Sequence, residues 1–290
     1  MGVVSALSCR PPVKGGVTPA YAGGNGGFCF SENQPPTAPS ARDPLDRGSW
    51  QALDEELARW RDAGRTPEFW WRDDDATAPT APLRHLISLA KASGVPVALA
   101  VVPLAAVPEL FAGHDARVLM HGTDHRNRAA PGEKKTEFAA AEPEEDALAR
   151  LTAARDRLAR LAVGRFLPVL VPPWNRFKRT LLARLPAAGL LGLSAYGPRA
   201  AAQAARGVAQ INTHVDLIDW HGTRGFVGEE AALRGVLKQL AAQSGEPTGV
   251  LTHHAVHDEA AWAFLERLFE RTRRDGAHWA EAAALFPAAT

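Results

Sequence analysis

The sequence predicts an α/β fold: a parallel (β/α) barrel behind a low-complexity N-terminal tail. Three observations lead there. From Trp50 onward, helix-period and strand-like segments alternate, the order that builds a parallel sheet. Several strand-like segments, such as Val95 to Val102, are nearly continuous apolar runs, as expected for strands covered on both faces. Residues able to do acid–base or metal chemistry sit just after these runs, at the end of the strand where parallel barrels build their active sites. Six to eight such strands favour a closed barrel over an open sheet.

The elements follow in order. Gln51 to Ala63 places Leu53, Leu57 and Trp60 on one helical face. Glu68 to Arg72 is a short strand leading into an acidic cluster. Leu83 to Ala92 is a helix stopped by Gly94, followed by the Val95 to Val102 strand. Arg117 to Met120 is a strand that delivers His121. Glu144 to Ala162 is a long helix with Leu148, Leu151, Leu158 and Leu161 in register. Phe166 to Val171 is a strand delivering Pro172-Pro173-Trp174. Lys178 to Ala188 reads as a helix and Leu190 to Leu193 as a strand. Val208 to Ile211 and Val215 to Ile218 are short strands, the second delivering Asp219-Trp220. Glu229 to Gln243 is a helix, Gly249 to Leu251 a strand delivering His253, and Glu259 to Arg273 the closing helix.

Bulk properties narrow the function. The chain has 290 residues, 46% of them hydrophobic, with a formal net charge of +1, so charge draws it neither to nucleic acid nor to an anionic membrane. No apolar run approaches the ~18 residues of a spanning helix. Cys9 and Cys29 both lie near the N-terminus, so no disulfide framework organises the fold, and a zinc site would need His and Asp ligands. Residues 1–45 are dominated by Gly, Pro, Ser and Thr, with no periodicity and no apolar core of the kind a secretory signal needs. The division expected is a disordered tail over 1–45 and one barrel domain over 46–290, in a cytoplasmic protein. No Gly-x-Gly-x-x-Gly follows a strand and no phosphate-binding Gly-x-x-x-x-Gly-Lys-Ser/Thr occurs, which argues against a nucleotide site.

The chemistry gathers in three places. Trp70-Trp71-Arg72-Asp73-Asp74-Asp75 closes an apolar, aromatic segment with three adjacent carboxylates. Like charges repel, more so when buried, and a divalent cation relieves that. His121 and His125 stand four apart, and His253-His254 follows the last strand. Each has a plainer reading: a solvated acidic loop, satisfied structural histidines, a strand ending near solvent. Together they offer the mixed imidazole and carboxylate donors of a metal hydrolase. A helical His-Glu-x-x-His protease motif does not fit, because Gly122 stands where its Glu must be.

The ordered set Asp-Asp, His-x-x-x-His, Pro-Pro-Trp, Asp-Trp and Leu-x-His, spread over residues 66 to 258, resembles the NodB-homology polysaccharide deacetylases, carbohydrate esterase family 4. The resemblance implies a distorted (β/α) barrel holding one divalent metal by Asp, His and His, with an adjacent Asp as base and a late His as acid. Position by position it implies Asp75, His121 and His125 as metal ligands, Asp74 as base and His253 as acid. The third carboxylate leaves a second register open, with Asp73 as base and Asp74 as ligand. Trp174, Arg176, Asp219, Trp220 and His254 are the implied substrate-side residues, with the Trp174 backbone N–H as an oxyanion donor. The family's third motif begins with an Arg that supports the base. Here Val171 stands at that place, and Arg72 or Arg176 is left to substitute.

These residue types suit amide hydrolysis, which needs an activated water, a stabilised oxyanion and a protonated leaving amine. The expectation is a metal-dependent N-deacetylase acting on an amino sugar or oligosaccharide, with zinc as the first choice of metal and Co2+, Ni2+ or Mn2+ as substitutes. A hydrolase of a non-sugar C–N bond on the same barrel, or a catalytically silent carbohydrate-binding descendant, are the alternatives. Neither nucleic acid nor membrane is an expected partner.

Overall fold

The computed structural model describes residues 48–286, so the expected tail over 1–45, with Cys9 and Cys29, lies outside the described residues. The elements are α1 (Trp50–Asp62), β1 (Glu68–Ala76), α2 (Ala81–Ser93), β2 (Val97–Val101), β3 (Arg117–His121), α3 (Glu144–Leu161), β4 (Phe166–Val171), β5 (Gly192–Leu193), β6 (Gln203–Ala205), β7 (Val208–Gln210), β8 (Val215–Asp216), α4 (Glu229–Ala242), β9 (Thr248–Thr252), α5 (Glu259–Arg274), β10 (His278–Trp279) and α6 (Ala282–Leu285). Local chemistry sets the helix boundaries. Ser49 caps α1, Thr80 caps α2 and Asp258 caps α5, each side-chain oxygen accepting a first-turn backbone N–H. Gly94 ends α2 with a left-handed residue at φ 65°.

The strands form one sheet in the order β6-β7-β5-β4-β3-β2-β1-β9-β8, with β10 beside β1. Every pairing is parallel except β6 with β7. One stretch of chain closes the sheet. Residues 208–213 run along β5 and its continuation, with Ile211 N–H donating to Leu193 and Thr213 N–H to Ala195. The same stretch then crosses to β9, where His214 N–H donates to Gly249 and Leu217 N–H to Leu251. The result is the distorted barrel the sequence predicts.

Strand alternation sorts the side chains into two cores. Phe69, Trp71, Val97, Leu99, Val101, Val118 and Met120 face the helices. Trp70, Ala98, Ala100, Leu119, Val169 and Val171 face the barrel axis. Phe286 and Ala282 close the bottom, with Phe286 edge-on to Trp70 at 6.0 Å. The axis is therefore apolar below and polar above, where Arg72, Asp74 and His121 are buried. No described helix is long and apolar enough to cross a membrane.

Five elements differ from expectation. β1 runs on to Ala76, so the acidic triplet lies within the strand end rather than beyond it. The segment expected as a helix over 178–188 is a 3₁₀ helix over Arg179–Ala188 with Pro186 inside. Pro lacks an N–H and crowds the carbonyl four residues back, which disfavours an α-helix there. The strand expected to end at Ile218 stops at Asp216, and Asp219 lies in the following turn. β6 and β10 are too short for a periodicity signal.

Gly249 marks the closure. A Cβ there would stand 2.5 Å from both Asn212 O and Trp70 Nε1, and 2.6 Å from Thr213 Cα. Those atoms belong to the chain that closes the barrel and to the indole hydrogen-bonded to it, Trp70 Nε1 donating to Asn212 O at 2.9 Å. Gly249→Ala is expected to lower stability by ~1–3 kcal/mol through overpacking. Chemical denaturation beside Gly225→Ala, where φ is not positive and an added Cβ would meet nothing nearer than 3.4 Å, checks this. Equal losses at the two positions refute it.

Candidate active site

The β1 end presents its three carboxylates to three environments. Asp73 follows Trp71 on the helix-facing side and has no solvent exposure. Its carboxylate accepts from Thr252 Oγ1 at 2.7 Å, from His254 N–H at 3.0 Å and from His254 Nδ1 at 2.5 Å. Burial opposes charge on His254, but the Asp73 carboxylate outweighs it and holds the imidazole above its usual pKa. Asp74 follows Arg72 on the axis side. Arg72 Nε and Nη2 donate to its two oxygens at 2.8 and 3.0 Å. Arg72 Nη1 donates across the barrel to Ser194 O at 3.0 Å and Ser194 Oγ at 2.5 Å. The guanidinium is fully buried, so its charge is answered here or nowhere.

Asp75 breaks the alternation. Its φ of 70° coincides with a shift of register against β2, so that it and Asp74 both serve the mouth. Its Oδ1 lies 3.1 Å from His121 Nε2 and 3.4 Å from His125 Nε2. Burial pushes its carboxyl up, but the hydrogen bond and charge of His121, with His253 and His125 behind, hold it far below the usual carboxylate range. Burial also opposes charge on His121, while Asp74 and Asp75 raise its pKa. His125, by burial and by the neighbouring His121, is pushed down.

These three side chains fit a divalent ion. One donor atom from each of Asp75, His121 and His125 lies within 4.8 Å of the others. His121 Nδ1 donates to Val171 O at 3.0 Å, which orients the ring and aims Nε2 at Asp75; in the neutral ring with its proton on Nδ1, Nε2 is the lone pair a metal would take. Two imidazoles and a carboxylate form a donor set typical of zinc.

The chain between them is held in a costly shape. Gly122, His125, Trp174 and Asn175 all have positive φ, near 55–58°. The His125 ring lies 4.5 Å from the Trp174 ring. Asp124 accepts two bonds from Arg128, at 2.8 and 2.7 Å, which lowers its pKa to about 2.

His253 stands on the opposite rim. Its Nδ1 lies 3.8 Å from Asp216 Oδ1, and Trp220 packs edge-on to its ring at 4.7 Å while donating Nε1 to Asp216 Oδ2 at 2.8 Å. Burial raises the Asp216 carboxyl, with His253 opposing. Behind it, His253 N–H donates to His257 Nε2 at 3.4 Å. Burial, against the pull of Asp73, lowers His257 to about 4 and keeps it neutral.

Among the residues expected at the site, the structure brings together Asp74, Asp75, His121, His125 and Trp174 on one side, with His253 and Trp220 on the other. Arg176 donates to Lys135 O at 2.9 Å, under the loop rather than at the mouth. Asp219 accepts from Gly222 N–H at 2.9 Å and Thr223 N–H at 3.2 Å, within its own turn. His254 lies behind the sheet with Asp73. Of the two arginines left to substitute, Arg72 is the one that reaches Asp74. Sequence reading passed over Asp216, which lies within the same strand signal, three residues before Asp219. It also passed over Tyr196, which follows β5 half-exposed beside Asp216, and Glu137, which stands in a loop with no periodicity.

No family profile matches the chain, and no curated protein matches it by sequence. Solved structures do match. A putative polysaccharide deacetylase from Mycobacterium smegmatis aligns with a TM-score of 0.56 and 16% identity, over 77% of this chain and 89% of that one. A peptidoglycan N-acetylglucosamine deacetylase, solved with 4-naphthalen-1-yl-N-oxidanyl-benzamide, aligns with a TM-score of 0.50 and 14% identity over the same shares. The fold is that of the polysaccharide deacetylases.

Two outcomes test the electrostatics. Arg72→Met leaves a buried carboxylate unpaired and is expected to cost ~3–5 kcal/mol. Adding Asp74→Asn should return part of that loss, and strictly additive losses in denaturant melts would refute the coupling. His257, neutral when folded and normally near 6.5 when unfolded, takes up its proton mainly on unfolding between those values. Its contribution is complete above about 6.5 and is lost as pH falls toward about 4. Stability of His257→Gln should therefore fall less steeply with acid than that of the unaltered protein across this window. Parallel curves would show that His257 does not titrate on unfolding.

Proposed function

We propose that this protein is a metal-dependent hydrolase that removes an N-acetyl or N-acyl group from an amino sugar or oligosaccharide. One observation carries the reading: the convergence of Asp75, His121 and His125 donor atoms within 4.8 Å, beside an Asp74 carboxylate clamped by Arg72. Asp75, His121 and His125 would hold the ion. Bound there, a divalent ion lowers the pKa of water toward ~7 and polarises an acyl carbonyl.

The chain's own residues supply the rest. Asp74 is the base that takes the proton of the attacking water. Arg72 takes one lone pair of each Asp74 oxygen, which fixes the direction of those left to accept a proton. His253 is the acid: as the carbonyl carbon gains its C–O bond and the C–N bond breaks, the imidazole gives its proton to the leaving nitrogen. Trp220 packs edge-on to the His253 ring, and Asp216 Oδ1 stands 3.8 Å from its Nδ1, so the imidazole is walled into one position for that transfer. The Trp174 backbone N–H is the donor assigned to the developing oxyanion. Trp174 and Trp220 offer ring faces on opposite rims, suited to packing against a sugar. Asp73 has no part in the proton transfers, because it lies on the helix-facing side of β1, behind the sheet with Thr252 and His254 and away from the mouth.

The test combines metal content, product and leaving group. Asp75→Asn should lose metal by elemental analysis, whereas Asp74→Asn should keep it and lose ~10²–10⁴ in turnover. Acetate release is measured on chitin oligomers and on non-sugar N-acyl compounds. His253→Ala should lose far more turnover on an amide than on an activated ester, whose leaving group needs little protonation. A metal-free Asp74→Asn protein, or release from non-sugar amides alone, overturns the assignment.

A further inference from the structure

The loop between β3 and α3 has little regular structure, yet it contains a carboxylate with no solvent exposure, that of Glu137. Its Oε1 accepts from Thr123 N–H at 2.8 Å, from Asp124 N–H at 3.4 Å, from the Thr123 hydroxyl, and from Arg150 Nη1 at 2.9 Å. Arg150, on α3, also donates to Glu142 at 2.6 and 2.9 Å and to Thr123 Oγ1 at 2.7 Å. Glu137 Oε2 has no hydrogen-bond partner and occupies the space beside Gly122, where a Cβ would stand 2.0 Å from it and 2.6 Å from Pro173 Cγ.

This side chain therefore grips the turn that separates His121 from His125. Gly122 must lack a side chain to admit it, and the positive φ of Gly122 and His125 is the shape it grips. Such φ values cost ~1–3 kcal/mol at a non-glycine residue and persist only when the surroundings over-determine them. A buried carboxylate taking several N–H and O–H donors supplies that. It also explains why a loop with so little regular structure carries a carboxylate into the interior.

The geometry points to Glu137 as a positioning residue: it locks the 122–125 turn so that His125 Nε2 faces the same point as His121 Nε2 and Asp75. The inference rests on the reading of those three residues as metal ligands, but the turn can be probed without the metal. Glu137 touches neither His125 nor substrate; it acts through the backbone of Thr123 and Asp124.

The experiment uses the full chain stripped of metal by a chelator and measures two things. Amide hydrogen exchange reports the protection of residues 122–125, and competition with a chromophoric chelator reports the affinity for Zn2+. Glu137→Ala should lose protection in this turn and weaken zinc binding ~10–100-fold, the usual range for an outer partner of a metal ligand. Glu137→Gln, which keeps an oxygen for Thr123 N–H but no charge for Arg150, should fall between. If Glu137→Ala does not fold, Glu137→Gln carries the test by the same two readouts. Leu268→Ala, in the α5 core, controls for general destabilisation: it should lower Tm while leaving both readouts unchanged. Unaltered exchange of the turn, or unaltered zinc affinity, in the Glu137 variants overturns the proposal. A parent protein that binds no zinc while the Glu137 variants loosen the turn overturns the metal reading instead and leaves the role of Glu137 in placing His125 supported.

Discussion

A guanidinium without solvent exposure sits at the centre of the barrel, and much of the architecture follows from keeping it satisfied. Arg72 reaches Asp74 on its own strand and the Ser194 carbonyl and hydroxyl across the axis. Room for it comes from Ala98 and Ala100 on β2, whose methyl groups face the same axis. Below it Trp70 and Phe286 exclude water, which strengthens the ion pair and raises the cost of breaking it. The pair joins the two sides of the barrel at the level where the chemistry is placed. A carboxylate fixed in this way keeps its direction without help from solvent.

The mouth is built from strained backbone held by its neighbours. Asp75, His125, Trp174 and Asn175 are four of the six described non-glycine residues with positive φ. They cluster around one point because each must turn a side chain or an amide out of the regular strand direction. The supports differ in kind. A register shift against β2 accommodates Asp75, Glu137 and Arg128 hold the turn before His125, and Pro172 and Pro173 stiffen the approach to Trp174. Across the mouth, His253 needs less distortion. Its support is chemical, from Asp216, the Trp220 ring and the neutral His257.

The three adjacent carboxylates show how one strand end can serve several purposes. Asp73 ties the ends of β1 and β9 together through Thr252 and His254, behind the sheet. Asp74 pairs with the interior arginine, and Asp75 meets the two histidines. Repulsion within the run is relieved because each carboxylate has its own cationic or hydrogen-bonding partner rather than one shared ion. Arg72, two residues before Asp74 on the same strand face, reaches it directly and needs no arginine from another strand.

The sequence by itself determined the order of strands and helices, the two-sided burial of the strands, and the placing of acidic and imidazole residues at strand ends. Periodicity and apolar runs carry that information locally, so Val95 to Val102 or Glu144 to Ala162 could be read without knowing their neighbours. Only the tertiary structure decided which carboxylate meets which partner. Alternation alone puts Asp73 and Asp75 on one face, and the break at Asp75, which reverses that, depends on pairing with β2. Arg72 over Arg176 was likewise a matter of distance across a closed barrel, as was Asp216 over Asp219. Glu137 gave no signal at all, because its partners, Thr123 and Arg150, are brought to it by a loop without periodicity. Burial of a charge is a property of the assembled surroundings, and no local pattern of residues records it.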